Sequence, residues 1–375
     1  MYFSTSRATL LALCALFSLS CDSSSSGPDD GGAGLFLHPM PWTKDVSALP
    51  KSPESDTIIA ALDAAGGWGT GDFRTDMSFN VLFADASTPR RTFTPKDEAW
   101  AEANLGDSSL AEFYRPDCEH VAYPVPATGA LEGESGYACE KDGDCHLLVV
   151  DTAGRRLYEM WRAHLSGPTF LGGCAVVWDL SRSYDSTLRG RGCTSADAAG
   201  FPITAMLATA DEVATGEVKH ALRFILPNAR IQNGMYVPPA THSTFPTRGG
   251  PNLPPYGVRF RLKDSYDENR LSSPGARVLA RALKRYGMFL SDGGSVPLTV
   301  AGDAFTRHKW SEFGFDSRSL SSLKVTDFEV VELGQRIDWK ADHHLLSQPV
   351  GPLAPRLRDY ARLRMDSTAA RAMGW

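Results

Sequence analysis

HLLVVDTAGRRLYEMW, residues 146–161, reads as two apolar strands on either side of a tight turn. His146 to Asp151 (HLLVVD) and Arg156 to Trp161 (RLYEMW) are short and rich in Leu, Val and Tyr, and they flank the turn-like Thr152-Ala153-Gly154-Arg155. Two such runs this close together predict an antiparallel hairpin. Working outward, Cys174 to Leu180 (CAVVWDL) is another short apolar strand, and Asp76 to Phe83 (DMSFNVLF) an earlier one. Val218 to Leu226 (VKHALRFIL) alternates, with His220, Leu222, Phe224 and Leu226 on one side and Ala221, Arg223 and Ile225 on the other. In Gly257 to Lys263 (GVRFRLK), Val258, Phe260 and Leu262 face inward and leave Arg259, Arg261 and Lys263 as a cationic row. Phe328 to Leu333 (FEVVEL) reads as a final strand.

Helical signals are fewer. Asp56 to Ala64 has a helical pattern with Asp56 as N-cap and Gly66-Gly67 as the stop. The stronger helix starts at Ser273, an N-cap followed by Pro274, whose missing N–H costs nothing at the first position. Leu279, Leu283, Tyr286 and Leu290 keep the spacing of a buried stripe, Gly287 is a candidate C-cap, and Asp292-Gly293-Gly294 ends the element. The expected fold class is therefore β-rich α+β, a sandwich or irregular barrel with a packed helix at about 274–290. Residues 35–335 form its single globular domain. Residues 336–375 follow as a C-terminal extension, with an exposed basic helix expected at Pro355 to Arg364.

The first twenty residues have the parts of an export signal: Arg7, then the apolar run Ala8 to Leu19, then small residues at Ser18 and Ser20. Cleavage after Ser20 makes Cys21 the first mature residue, an arrangement similar to a bacterial lipobox. It departs from that pattern where Ser18 and Leu19 replace the preferred Leu and small residue, and an ordinary signal peptidase can cut the same bond without lipidation. Asp22 and Ser23 to Pro28 continue as a polar tether to residue 34, too poor in apolar groups to build a core. The expected location is the cell envelope, with a membrane as partner through the lipid on Cys21. The net charge of −6, with no basic stripe, argues against nucleic acid. An exported chain meets an oxidising compartment, so disulfides are expected. One bridge is expected among Cys118, Cys139 and Cys145, and another between Cys174 and Cys193.

Several stretches occur in order that resemble a family of secreted bacterial proteins. They are Pro41-Trp42 through Val46-Ser47, Phe79-Asn80-Val81, Tyr123 to Pro126 leading to Leu131-Glu132-Gly133, and Asp144 to Asp151 running into Leu157-Tyr158-Glu159. Thr194 to Pro202 (TSADAAGFP), Glu212, His220 to Phe224 (HALRF) and Pro239 to His242 are the most distinctive. Arg261 to Lys263, Leu283 to Gly287 and Asp292 to Ser295 complete the set. The resemblance covers roughly residues 38–335 and implies no established activity.

Ionisable side chains amid apolar strands single out candidates for chemistry, because burying an unpaired charge is costly. Asp151, Glu159 and Asp179 lie at or within strands, and Asp197 sits in the small-residue loop Thr194 to Gly200, which lets a ligand approach the backbone. Two of these four carboxylates serve as acid and base in the functional reading, with His242 or His220 assisting, which is the equipment of glycoside hydrolysis. Arg223, Arg259, Arg261 and Lys263 join Asp179 and His220 as candidate ligand contacts, and Trp161, Trp178 and Tyr236 as platforms for sugar rings. The ligand expected is a polysaccharide. The competing reading makes the carboxylates structural ion pairs of Arg223, Arg259 or Lys263, within a non-catalytic envelope lipoprotein. No cofactor or metal is expected: Asp342-His343-His344 and Asp142-Gly143-Asp144 both read as loop or turn.

Overall fold

The structure, a computed structural model, describes residues 34–95, 118–141 and 143–339. The export signal, Cys21, nearly all of the tether, Asp142, Asp342-His343-His344 and the 355–364 segment lie outside these residues. Two sheets organise the rest. The first has six strands in the order β1 (Thr75–Phe79), β9 (Leu298–Ala301), β6 (Leu222–Leu226), β8 (Met288–Gly293), β7 (Arg259–Leu262) and β10 (Phe328–Val331). The second has four, in the order β5 (Ala175–Asp179), β4 (Arg156–Met160), β3 (Leu147–Asp151) and β2 (Val81–Ala84). This is a β-rich α+β fold with several sheets and no closed barrel among the described residues.

The hairpin is present, as β3 paired antiparallel with β4 from Leu147 opposite Met160 to Asp151 opposite Arg156. Both faces of its sheet are covered. Leu148, Val150, Leu157, Val176 and Trp178 enter a large core shared with the six-stranded sheet. Leu147, Val149, Tyr158, Met160 and Ala175 point the other way, into a smaller cluster. This period-two division is what a pleated strand imposes. The strand expected over residues 76–83 is broken at Asn80, whose side-chain amide donates to the Leu131 carbonyl (3.0 Å). Its first half pairs in the six-stranded sheet and its second half in the four-stranded one, so one short run of sequence joins the two sheets.

The first helix, α1 (Ser55–Ala64), starts with Glu54, not Asp56, at its N-cap position, and the Glu54 side chain makes no capping hydrogen bond. In α3 (Pro274–Arg285), which follows the short α2 (Ala210–Ala214), Ser273 Oγ accepts from the Ala276 amide (3.2 Å). Leu279 and Leu283 are fully buried, each stabilising the packing by roughly 1.5–3 kcal/mol. The helix ends at Arg285, short of the expected 290. Gly287 takes φ +71°, and a Cβ there would meet the Phe260 carbonyl oxygen at 2.3 Å. The chain therefore turns at once into β8, and Leu290 is buried as a strand residue opposite Phe224. Helical spacing continued by accident into a strand.

The expected cationic row is also corrected. Arg259 and Arg261 are buried, at 1% and 8% exposure, because the lead-in after residue 40 covers their face. Arg259 donates to the Tyr286 and Lys44 carbonyls and pairs with Glu332 (2.9 Å). Arg261 donates to the carbonyls of Val46, Ser47 and Leu49 and pairs with Glu329 (2.6 Å). Lys263 Nζ donates to the Thr326 carbonyl. The two arginines are fasteners for an irregular segment whose carbonyls need donors. Disulfides join Cys118 to Cys174 and Cys139 to Cys145. The second falls within the expected group, and the first replaces the expected Cys174–Cys193 bridge. No helix among the described residues is long and apolar enough to cross a membrane.

A candidate acid–base site around Arg223

Across the six-stranded sheet, one row of partners runs Asp76, Thr299, Arg223, Phe289, Arg259. Arg223 lies on the face opposite Leu222, Phe224 and Leu226, so the alternation that buries those three in the core aims Arg223 away from it. Its guanidinium is 2% exposed. One terminal nitrogen donates to Thr299 Oγ1 (3.0 Å), and the other to Asp197 (2.6 Å). The same nitrogen is 3.6 Å from Asp292. Two carboxylates therefore share one cation, with these oxygens no more than about 6 Å apart.

Asp292 reaches this face through a bulge. Leu290 is opposite Phe224, but the next partner of β6, Ile225, is opposite Asp292, which leaves Ser291 as the extra residue. One inserted residue reverses the facing of all that follow. Ser291 is fully buried and its carbonyl accepts from the Ala199 amide (2.9 Å), two residues beyond Asp197. The loop carrying Asp197 packs closely here: a Cβ on Gly200 would lie 2.2 Å from Thr241 Oγ1. Its small residues thus serve to bury Asp197 (0% exposed) rather than to admit a ligand.

Burial is the main force on both acids. It raises Asp197 to about 6 against the pull of Arg223. It raises Asp292 to about 7, with the nearby Asp197 charge pushing the same way. A quarter of the Asp292 side chain (26%) still reaches solvent. Each charge disfavours ionisation of the other, so the two acids do not lose their protons independently.

Glu132 and His146 complete the cluster. His146 Nδ1 lies 2.6 Å from Glu132 Oε2, and its Nε2 lies 3.0 Å from the Ala196 carbonyl. Burial opposes the imidazolium, but Glu132 outweighs it and raises His146 to about 9. Burial likewise favours the protonated form of Glu132, but His146, helped by Arg223, holds it below the usual carboxylate range. Asp76 is raised by burial despite hydrogen bonds from Ser78. The Phe79 ring is a neighbour of both cations, 5.2 Å from the Arg223 guanidinium and 5.4 Å from the His146 ring.

Of the residues expected from the sequence, only Asp197 and Arg223 meet here. Glu159 is fully buried and accepts from Trp178 Nε1 (3.2 Å), the Ile203 amide (3.1 Å), and the Thr204 amide and hydroxyl (2.7 and 2.8 Å). It anchors a loop. Asp151 pairs with Arg90 (2.5 Å) and accepts from the Gly154 amide in the hairpin turn (2.7 Å). Asp179 pairs with Arg156 (2.7 Å). His220 faces Glu212 (3.1 Å) and the Ala221 carbonyl. His242 donates from Nδ1 to the Ala198 carbonyl (2.8 Å) and sets its ring edge-on to Trp339, which fastens the far side of the Asp197 loop.

Asp292, Glu132 and His146 are the residues that reading by alternation misses. They lie in the sequence segments Leu131 to Gly133 (Glu132), Asp144 to Asp151 (His146) and Asp292 to Ser295 (Asp292). No protein-family model, curated protein or solved structure matches the chain.

Proposed function

We propose that the chain is an exported envelope lipoprotein, anchored through a lipid on Cys21, which hydrolyses extracellular polysaccharide at the Arg223 site. The observation that carries the reading is that two partly exposed carboxylates in the field of one arginine have proton affinities driven apart. Asp292 is pushed up to about 7 and Glu132 is held below the ordinary range. Such a divergence supports reading one as acid and the other as base. As the glycosidic C–O bond breaks, Asp292 donates its proton to the leaving oxygen; the ionised Glu132 either takes a proton from the water that attacks the sugar carbon or bonds to that carbon itself until water displaces it. Asp197, buried beneath Asp292, is a positioning residue whose charge keeps the proton on Asp292. The disulfides and the family resemblance agree with an oxidising, extracytoplasmic location.

The test is incubation of the full chain with a panel of polysaccharides and peptidoglycan while new reducing ends are followed. Release that falls by at least about 100-fold in Asp292→Asn and in Glu132→Gln supports the assignment. Release unaffected by both substitutions sinks it. Retention of a glycan without cleavage favours a binding protein instead; neither cleavage nor retention favours the non-catalytic structural reading, to which the matched Asp151, Asp179 and Glu159 carboxylates already lend weight.

A further inference from the structure

Both ring nitrogens of His146 face oxygen acceptors. Nδ1 meets the Glu132 carboxylate at 2.6 Å, and Nε2 meets the Ala196 carbonyl at 3.0 Å. With Glu132 ionised, a neutral imidazole carries a single N–H and leaves one of these contacts as two opposed lone pairs; the imidazolium satisfies both. The ring is 3% exposed, so water does not readily replace a lost partner.

The two acceptors belong to different halves of the site. Glu132 is the carboxylate assigned above as base or nucleophile. Ala196 immediately precedes Asp197, whose own amide is held by Ser195 Oγ (2.9 Å). We infer that His146 is a positioning residue that works as an imidazolium, joining Glu132 to the Asp197 loop, and that loss of its proton disconnects the two halves. This rests on the acid–base reading of the site and adds a control to it. The site is then intact only while His146 is charged.

The groups around the ring fit that role. Glu132 is in direct contact; Asp144, from the segment before β3, and Glu159, on β4, add negative potential. Arg223, on β6, is the nearby cation, and it shares the Phe79 ring as a neighbour with His146. Carboxylates from three segments thus act on the ring, a field that favours the charged form.

Nitrogen-15 spectra of the histidine side chains in the full chain test this directly. The expected result is an imidazolium pattern for His146, with both nitrogens protonated, at pH 7 and pH 8. In Glu132→Gln its titration should fall by more than about one pH unit. In His146→Gln, one amide group cannot serve both acceptors, so the carbon-13 carboxyl titrations of Asp197 and Asp292 should move. A neutral His146 at pH 7, or unchanged carboxyl titrations in a folded His146→Gln chain, overturns the inference. Should that variant not fold, Glu132→Gln decides: the amides of Ala196 to Ala199 must then shift in step with His146 deprotonation, and their indifference rejects the link. These spectra need no substrate, so the result is separate from whether glycan is cleaved. If cleavage is found, its rate should fall again at higher pH through the His146 titration, beyond the fall that ionisation of Asp292 sets.

Discussion

Asp292 stands opposite Ile225, one residue out of step with the alternation that places Leu290 opposite Phe224. That single extra residue, Ser291, decides the chemistry of the sheet. In a regular strand Asp292 would follow the parity of Leu290 and point into the core, where an unpaired carboxylate is not tolerated. With the bulge it shares a face with Arg223 and reaches solvent. Bulges commonly re-aim side chains in this way beside functional sites.

The position of Asp292 has a cost in stability that depends on pH. Its folded-state pKa is raised, so its contribution is complete below about 4 and is lost as pH rises through about 7. Asp292→Asn removes that loss. Urea unfolding should show the variant close to the parent at pH 4 and more stable by roughly 1–3 kcal/mol at pH 8. Equal stabilities at pH 8 would contradict the raised proton affinity.

Glu132 and His146 give one interaction seen from two sides. The raised His146 contributes fully below 6.5, and its contribution is lost as pH rises through about 9. The lowered Glu132 contributes above 4.5 and loses its contribution as pH falls through its folded value. The pair is therefore fully effective only between these limits, where it is worth on the order of 3 kcal/mol. Thermal melts of His146→Gln should show a smaller alkaline decline between pH 7 and 9 than the parent, the remainder coming from Asp292 and from His220, which Glu212 also raises; an undiminished decline in the variant places its origin elsewhere.

Glu159→Ala should be among the most damaging single changes in the four-stranded sheet. It strands the indole of Trp178, two backbone amides and the Thr204 hydroxyl in a dry core. Each unsatisfied buried donor costs about 1–3 kcal/mol, tempered by relaxation, so a loss of at least about 3 kcal/mol is expected by chemical denaturation. A loss under 1 kcal/mol would mean that water enters and replaces the carboxylate.

The two disulfides should differ in worth. Cys118–Cys174 closes a sequence separation of 56 and Cys139–Cys145 one of 6. By chain entropy the longer loop is worth about 4 kcal/mol and the shorter about 2 kcal/mol. Paired Cys→Ser variants compared by denaturant midpoint check the ranking, and a larger effect from Cys139–Cys145 would reject the entropic account for this chain.

The sequence by itself determined the elements whose evidence is local. The 146–161 hairpin has two apolar runs and a turn of matching length, so its pairing needs no distant partner. The start of α3 is set by Ser273 and Pro274, which act within one turn of backbone. Arg223 and Asp197 were also legible, as charges set among apolar or small neighbours. The end of α3 was less so, since Leu290 meets a helical spacing and a strand alternation equally well. Only the tertiary structure decided which charges meet. Arg259 and Arg261 read as solvent-facing until the lead-in strap is laid over them. Glu132 and His146 lie 14 residues apart in sequence and pair with each other, and Glu132 comes within the electrostatic reach of Arg223, itself 3.6 Å from Asp292. Neither the bulge at Ser291 nor the junction of the two sheets has a local signature. Both depend on the relative depth of two strands distant in sequence, a quantity fixed by packing rather than by neighbouring residues.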